Sequence, residues 1–120
     1  MEHLTPEDVR ALRASLEALV AELDAALESS RAAAATVELD PCRVGRLSRV
    51  DAIQAQRIAQ ATRAQSRLRR QQARAALDAM DRGVYGLCRS CDDPIPLARL
   101  ERRPESPLCL ACQREVEGRR

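Results

Sequence analysis

The chain has no phenylalanine, tryptophan or lysine, one tyrosine (Tyr85), one histidine (His3) and four glycines in 120 residues. A thick globular core is excluded, because alanines and a single ring cannot fill the space between large layers. The shortage of alternating Val, Ile, Thr and aromatic residues argues equally against a β-sandwich or barrel. No apolar run is long enough for a transmembrane span, and the acidic start lacks the basic-then-apolar order of a secretion signal. An enzyme is a poor fit: one histidine, no acid pair in a buried setting and no phosphate-cradling glycine loop. The expectation is a soluble, cytoplasmic, non-catalytic protein.

What is present is Ala (21), Leu (15), Glu and Arg, the residues of long, closely packed helices. Every one of the 20 basic residues is Arg, and the net charge of +2 conceals a segregation. Residues 1–40 carry nine acids against three arginines; residues 41–82 carry ten arginines against three acids. This pattern predicts an acidic helix beside a basic one, with much of each charge answered inside the molecule. An arginine-rich face meeting an acidic partner is compatible with the same pattern.

Thr5-Pro6-Glu7-Asp8 is a helix start: a capping hydroxyl, a proline whose missing donor costs nothing, and acids at the positive dipole end. Val9, Leu12, Leu16, Leu19, Leu23 and Ala26 follow at steps of three and four, a heptad seam, and the helix is expected to reach Thr36. Pro41 and Gly45 interrupt it. A second helix is expected from Ser48-Arg49-Val50-Asp51, or earlier from Asp40, to Arg82, with Gly83 as its stop. Its expected seam is weaker: Leu47, Ile58, Ala61, Leu68 and Ala75, interrupted by Gln54, Gln65 and Gln72. Two helices of about 32 and 34 residues, each roughly 50 Å long, make an antiparallel hairpin the economical arrangement. The fold class is therefore mainly α. Residues 1–82 form a long helical hairpin (coiled coil) with its tip at about 37–47, and 83–120 form a small zinc finger.

Cys88-x-x-Cys91 and Cys109-x-x-Cys112 lie seventeen residues apart. Four thiolates so spaced suit a closed tetrahedral site for one structural zinc ion, each knuckle offering two sulfurs from a tight turn. Pro94, Pro96, Pro104 and Pro107 forbid a continuous helix between them, so metal must organise a segment with little core. Disulfides would need an oxidising compartment, and a catalytic zinc would keep an open position. Cys42, in the hairpin turn, reads as an ordinary free thiol with a regulatory role as the alternative, and His3 reads as inert in a frayed terminus.

The run Tyr85-Gly86-x-Cys88-x-x-Cys91, then Ile95, Arg99-Leu100, Pro104 and Cys109-x-x-Cys112-Gln113, resembles the C-terminal signature of the DksA/TraR family of bacterial RNA-polymerase-binding regulators. Asp92 departs from it, since the family usually has Gly after the second cysteine. The long hairpin has the family's order and proportion, while its N-terminal extension looks shortened. The resemblance implies a hairpin inserted into the polymerase secondary channel, a zinc module resting outside, no DNA sequence read, and action often shared with the nucleotide ppGpp. The family's Asp-Pro-x-Asp-x-Ala tip stands here as Asp40-Pro41-Cys42-Arg43-Val44-Gly45. Asp40 is retained, Arg43 reverses a charge and Gly45 replaces Ala, so polymerase binding is expected more firmly than ppGpp synergy.

Two other readings fit parts of the sequence. A GATA-type DNA-binding finger shares the cysteine spacing, but the residues after Cys112 carry two acids against three arginines, thin for phosphate contacts. A helical scaffold whose hairpin pairs with another coiled coil or with itself is left open by the glutamine-interrupted second seam.

Overall fold

The computed structural model describes the backbone of residues 1–35 and 46–118, and the side chains of 1–31 and 49–118. Four helices follow in order: α1 (Pro6–Ala35), α2 (Arg46–Asp81), α3 (Leu97–Arg102) and α4 (Leu110–Gly118). The expected tip residues Asp40, Arg43 and Gly45, with Cys42, lie outside the described residues.

α1 starts where its sequence dictates. Thr5 Oγ1 accepts from the Asp8 N–H at 3.0 Å, and Asp8 Oδ2 accepts from the Thr5 N–H at 3.0 Å, a reciprocal capping box. α2 ends equally legibly. Gly83 takes φ +74°, its N–H donates to Met80 C=O at 3.1 Å, and the Val84 N–H donates to Ala79 C=O at 2.9 Å. That is a Schellman stop, with glycine in the left-handed position. At its other end α2 begins at Arg46, so Ser48 sits inside the first turn rather than capping it.

The two long helices run antiparallel, as the pairing of Arg13 with Asp81, Asp24 with Arg70, and Leu27 with Arg63 requires. At 1.5 Å per residue their 30 and 36 residues give arms of about 45 and 54 Å. The molecule measures 63 × 31 × 20 Å with a radius of gyration of 18.9 Å, against about 13.6 Å for a compact chain of this length. It is a rod.

The α1 stripe is nearly as expected: Leu12, Leu16 and Leu23 are buried, but Leu27 takes the place predicted for Ala26, which is exposed. A straight helix drifts against a strict heptad, and one residue of slip over two heptads is that drift. The α2 seam needs a larger correction. Ile58 and Leu68 are 68% and 53% exposed, and Ala61 is exposed as well. The inward line is instead Ser66, Ala73 and Met80, with Arg63, Arg70 and Leu77 beside it, both at steps of seven. Phase explains this. Met80 and Ala73 are committed to the core at the base, and Leu68, five residues before Ala73, lies about 140° around the helix. Arginine heads on and next to this line reach across to α1: Arg70 and Arg74 meet Asp24, and Arg63 donates to Leu27 C=O and to Ser30 Oγ. A long arginine stem can line an apolar seam while its head bonds beyond it. The expected charge pairing between the helices is thus present.

The core sits at the base of the rod, where Leu4, Leu12, Leu16, Ala73 and Met80 meet Tyr85, Cys88, Ile95 and Leu100. The cysteine segment is therefore packed onto the arm and not suspended from it.

Candidate metal centre

The first knuckle is held by a short two-stranded clip. The Ile95 N–H donates to Gly86 C=O at 2.7 Å, Leu87 bridges Pro94 in antiparallel fashion, and the Cys88 N–H donates to Asp93 C=O at 2.9 Å. The Asp92 N–H closes the turn on Cys88 C=O at 2.9 Å, with Asp92 itself at φ +63°. This accounts for the departure noted above: the position demands a left-handed backbone, which glycine adopts freely and Asp tolerates among the few other residues that do. The second knuckle is positioned by the Arg89 N–H on Pro107 C=O at 2.9 Å and by Arg99 Nε on Leu108 C=O at 3.1 Å. From Cys109 the chain runs into α4, whose Gln113 N–H donates back to Cys109 C=O at 2.9 Å.

These turns bring Cys88, Cys91, Cys109 and Cys112 together, with all four sulfurs within 4.8 Å of one another. Zinc–sulfur bonds of about 2.3 Å in a tetrahedron place sulfurs about 3.8 Å apart. Cys91 Sγ and Cys109 Sγ stand at 3.7 Å. The group fits one zinc ion, and an all-sulfur shell leaves no position for a substrate, so the ion is structural. His3 is not part of this group; its Nε2 lies 2.8 Å from Ile95 C=O. Nor is the N-terminus frayed as expected, because Leu4 is buried and reaches Gly86.

The electrostatics of the four thiols are unequal. Burial pushes the Cys88 thiol up, but backbone donors around it, at Cys109, Cys91 and Ser90, outweigh that and bring it down to about 6. Cys91 has help from the backbone at Asp93, yet crowding by the Cys88, Cys112 and Cys109 sulfurs and desolvation drive it up to about 12. Four adjacent sulfurs cannot all ionise without a cation between them, so zinc must displace protons as it binds.

Around the centre, Tyr85 is buried with its hydroxyl donating to Pro104 C=O at 2.9 Å. Burial, then the neighbouring Glu105 charge, raise the phenol well above its ordinary value. Glu105 is 4% exposed, with Oε1 at 3.5 Å from Arg69 Nε, and this ion pair connects the cysteine segment to α2.

Residues 83–118 match the prokaryotic dksA/traR C4-type zinc finger. This segment belongs to the DksA/TraR zinc-finger family. The whole chain is similar in fold to the transcription factor DksA2 from Pseudomonas aeruginosa, with a TM-score of 0.72 and 22% identity over 95% of this chain and 86% of that one. No curated protein matches the chain. The DksA/TraR finger accounts for the four cysteines and their single zinc ion. The N-terminal strap across Gly86 and the Glu105–Arg69 pair escaped sequence reasoning. Glycine next to Tyr85 in the family signature is the one signal that pointed toward the strap, since a Cβ on Gly86 would stand 3.1 Å from both His3 and Leu4.

Proposed function

We propose that this protein binds RNA polymerase and modulates transcription initiation without catalytic activity, its helical arm entering the secondary channel and its zinc module remaining outside. The observation that carries the reading is the union of a DksA/TraR finger with a rod 63 Å long. A slender antiparallel hairpin can reach into a channel that a globular domain of this mass could not enter, and the metal-clamped base fixes the angle of the arm. In this reading Asp40 acts at the tip near the polymerase active centre, while Arg43 and Gly45 alter the contact. A guanidinium in place of a carboxylate changes the interaction with a metal-containing centre outright. Regulation through ppGpp at the polymerase interface is therefore expected to be weak or absent.

The site of action is the cytoplasm, where polymerase resides. Among the described residues no helix is long and apolar enough to cross a membrane. DNA sequence is not read in this proposal: beyond Cys112, α4 carries Glu115 and Glu117 beside Arg114, a poor phosphate-binding set.

The test is retention of core polymerase by the tagged full chain at low salt, where no association removes the proposal. Asp40→Asn is expected to reduce the effect on initiation more than it reduces binding, and equal losses would contradict the role given to the tip. Addition of ppGpp is expected to change the outcome little.

A further inference from the structure

We propose that the outward face of α2 is a docking surface for an acidic amphipathic helix of a partner protein. This goes beyond the polymerase reading and does not depend on it. Positions 50, 53, 57, 61, 64, 68, 72, 75 and 79 follow steps of three and four that average the period of a straight helix, so they form one line. Seven of the nine are apolar. Val50, Ile53, Ala61, Ala64 and Leu68 are exposed along it, with Leu68 at 53%. At its base the line enters a groove of about 730 Å³, in which Ala75 and Ala79 face Pro107 and Leu108 of the zinc module. From 50 to 79 the line is about 43 Å long at 1.5 Å per residue. Alanine at four of its nine positions allows another helix axis to come close, at about 8 Å.

Charge selects the occupant. α2 has no acidic residue between Asp51 and Asp78. Two sets of arginines stand out on α2 and at its C-terminal end. Arg63, Arg69, Arg70, Arg74 and Arg82 are bonded to groups of this chain. Arg57, in the apolar line, and Arg67, beside Leu68, meet no acidic group among the described residues. An apolar line edged by unanswered arginines complements a helix with its own apolar line edged by Glu or Asp. A second copy does not supply that partner through the same face, because its face too carries arginine and no acidic residue between Asp51 and Asp78. Nucleic acid fits poorly too. Phosphates would engage the arginines but leave Val50, Ile53 and Leu68 uncovered, and no aromatic ring lies along the face for bases to stack on.

The test uses the zinc-loaded full chain and a dye-labelled synthetic helix of about 29 residues, long enough to span the face. One version carries an Ala/Leu line flanked by Glu, the other has Lys at every Glu. Fluorescence anisotropy is expected to show binding of the Glu peptide, weakened by salt, and none of the Lys peptide. Arg57→Glu with Arg67→Glu, and separately Leu68→Glu, are each expected to weaken binding about tenfold or more. These side chains are exposed, so far-UV circular dichroism and melting of the variants should match the parent, which separates lost docking from lost folding. The proposal is overturned if neither peptide binds, if both bind alike, or if the substitutions leave binding unchanged. Displacement of the peptide by a DNA duplex, or a sedimenting dimer that Leu68→Glu dissociates, overturns it in favour of the other occupants.

Discussion

Two glycines near the joint between arm and finger separate two kinds of cost in one experiment. Gly83 and Gly86 both take a positive φ, +74° and +86°. Alanine at Gly83 meets nothing within 4 Å, so Gly83→Ala carries only the left-handed penalty, about 1 kcal/mol. Alanine at Gly86 carries the same penalty and also crowds His3 Cε1 and Leu4 Cδ1 at 3.1 Å, with His3 Nε2 at 3.3 Å. Those atoms must withdraw by a few tenths of an ångström. That displaces a buried leucine and the His3 contact to Ile95 C=O, adding about 1 kcal/mol for a disturbed hydrogen bond and packing. Gly86→Ala is therefore expected to cost about 2 kcal/mol in urea unfolding of the zinc-loaded protein, twice the cost of Gly83→Ala. A third measurement locates the difference. In a His3→Ala background the extra cost of Gly86→Ala should shrink, while Gly83→Ala should be unaffected because the sites do not share neighbours. Equal costs for the two glycine substitutions, or a Gly86→Ala cost indifferent to His3, would refute the claim that the N-terminal strap is seated on the finger.

Three further outcomes follow from the same structure. Tyr85 is the single tyrosine and there is no tryptophan, so tyrosinate absorbance reports one group: its midpoint should lie above the ordinary value of about 10. Because the folded-state value is raised, the associated stability is present below pH 10 and lost as pH climbs toward the folded value, and Tyr85→Phe should abolish that alkaline loss. Chelation should unfold the finger while leaving most helical circular dichroism in place; zinc retention should fall as pH drops, since protons and zinc compete for the sulfurs, with Cys91 the most tenaciously protonated. Leu16→Ala, at a fully buried position, should cost about 3 kcal/mol in denaturant unfolding, whereas Leu68→Ala should stay within about 0.5 kcal/mol; comparable losses would mean that Leu68 belongs to the packed seam after all.

Much of this architecture is written locally. Thr5 through Asp8 contains its own cap, Gly83 its own stop, and the two cysteine knuckles their own turns, so each is readable without knowing what lies opposite. The α1 stripe is readable for a related reason: leucine on one face and polar residues elsewhere leave a single orientation. α2 defeats the same procedure because, Met80 apart, its large apolar residues are not its buried ones. Counting apolar bulk selects Ile58 and Leu68, but a two-helix arm has little interior. What decides the phase is Met80 and Ala73, fixed at the base by the finger, and the acid on α1 that Arg70 and Arg74 must reach. Both are properties of the partner element, invisible in α2 alone. The strap and the Glu105–Arg69 pair are hidden for the same reason, joining positions 92 and 36 residues apart in the chain. The misread residues then carry information of their own. A helix that turns Ser66 and Ala73 inward while exposing Leu68 and Ile53 has been shaped by something besides the stability of its own hairpin, and the exposed line is where that second requirement is recorded.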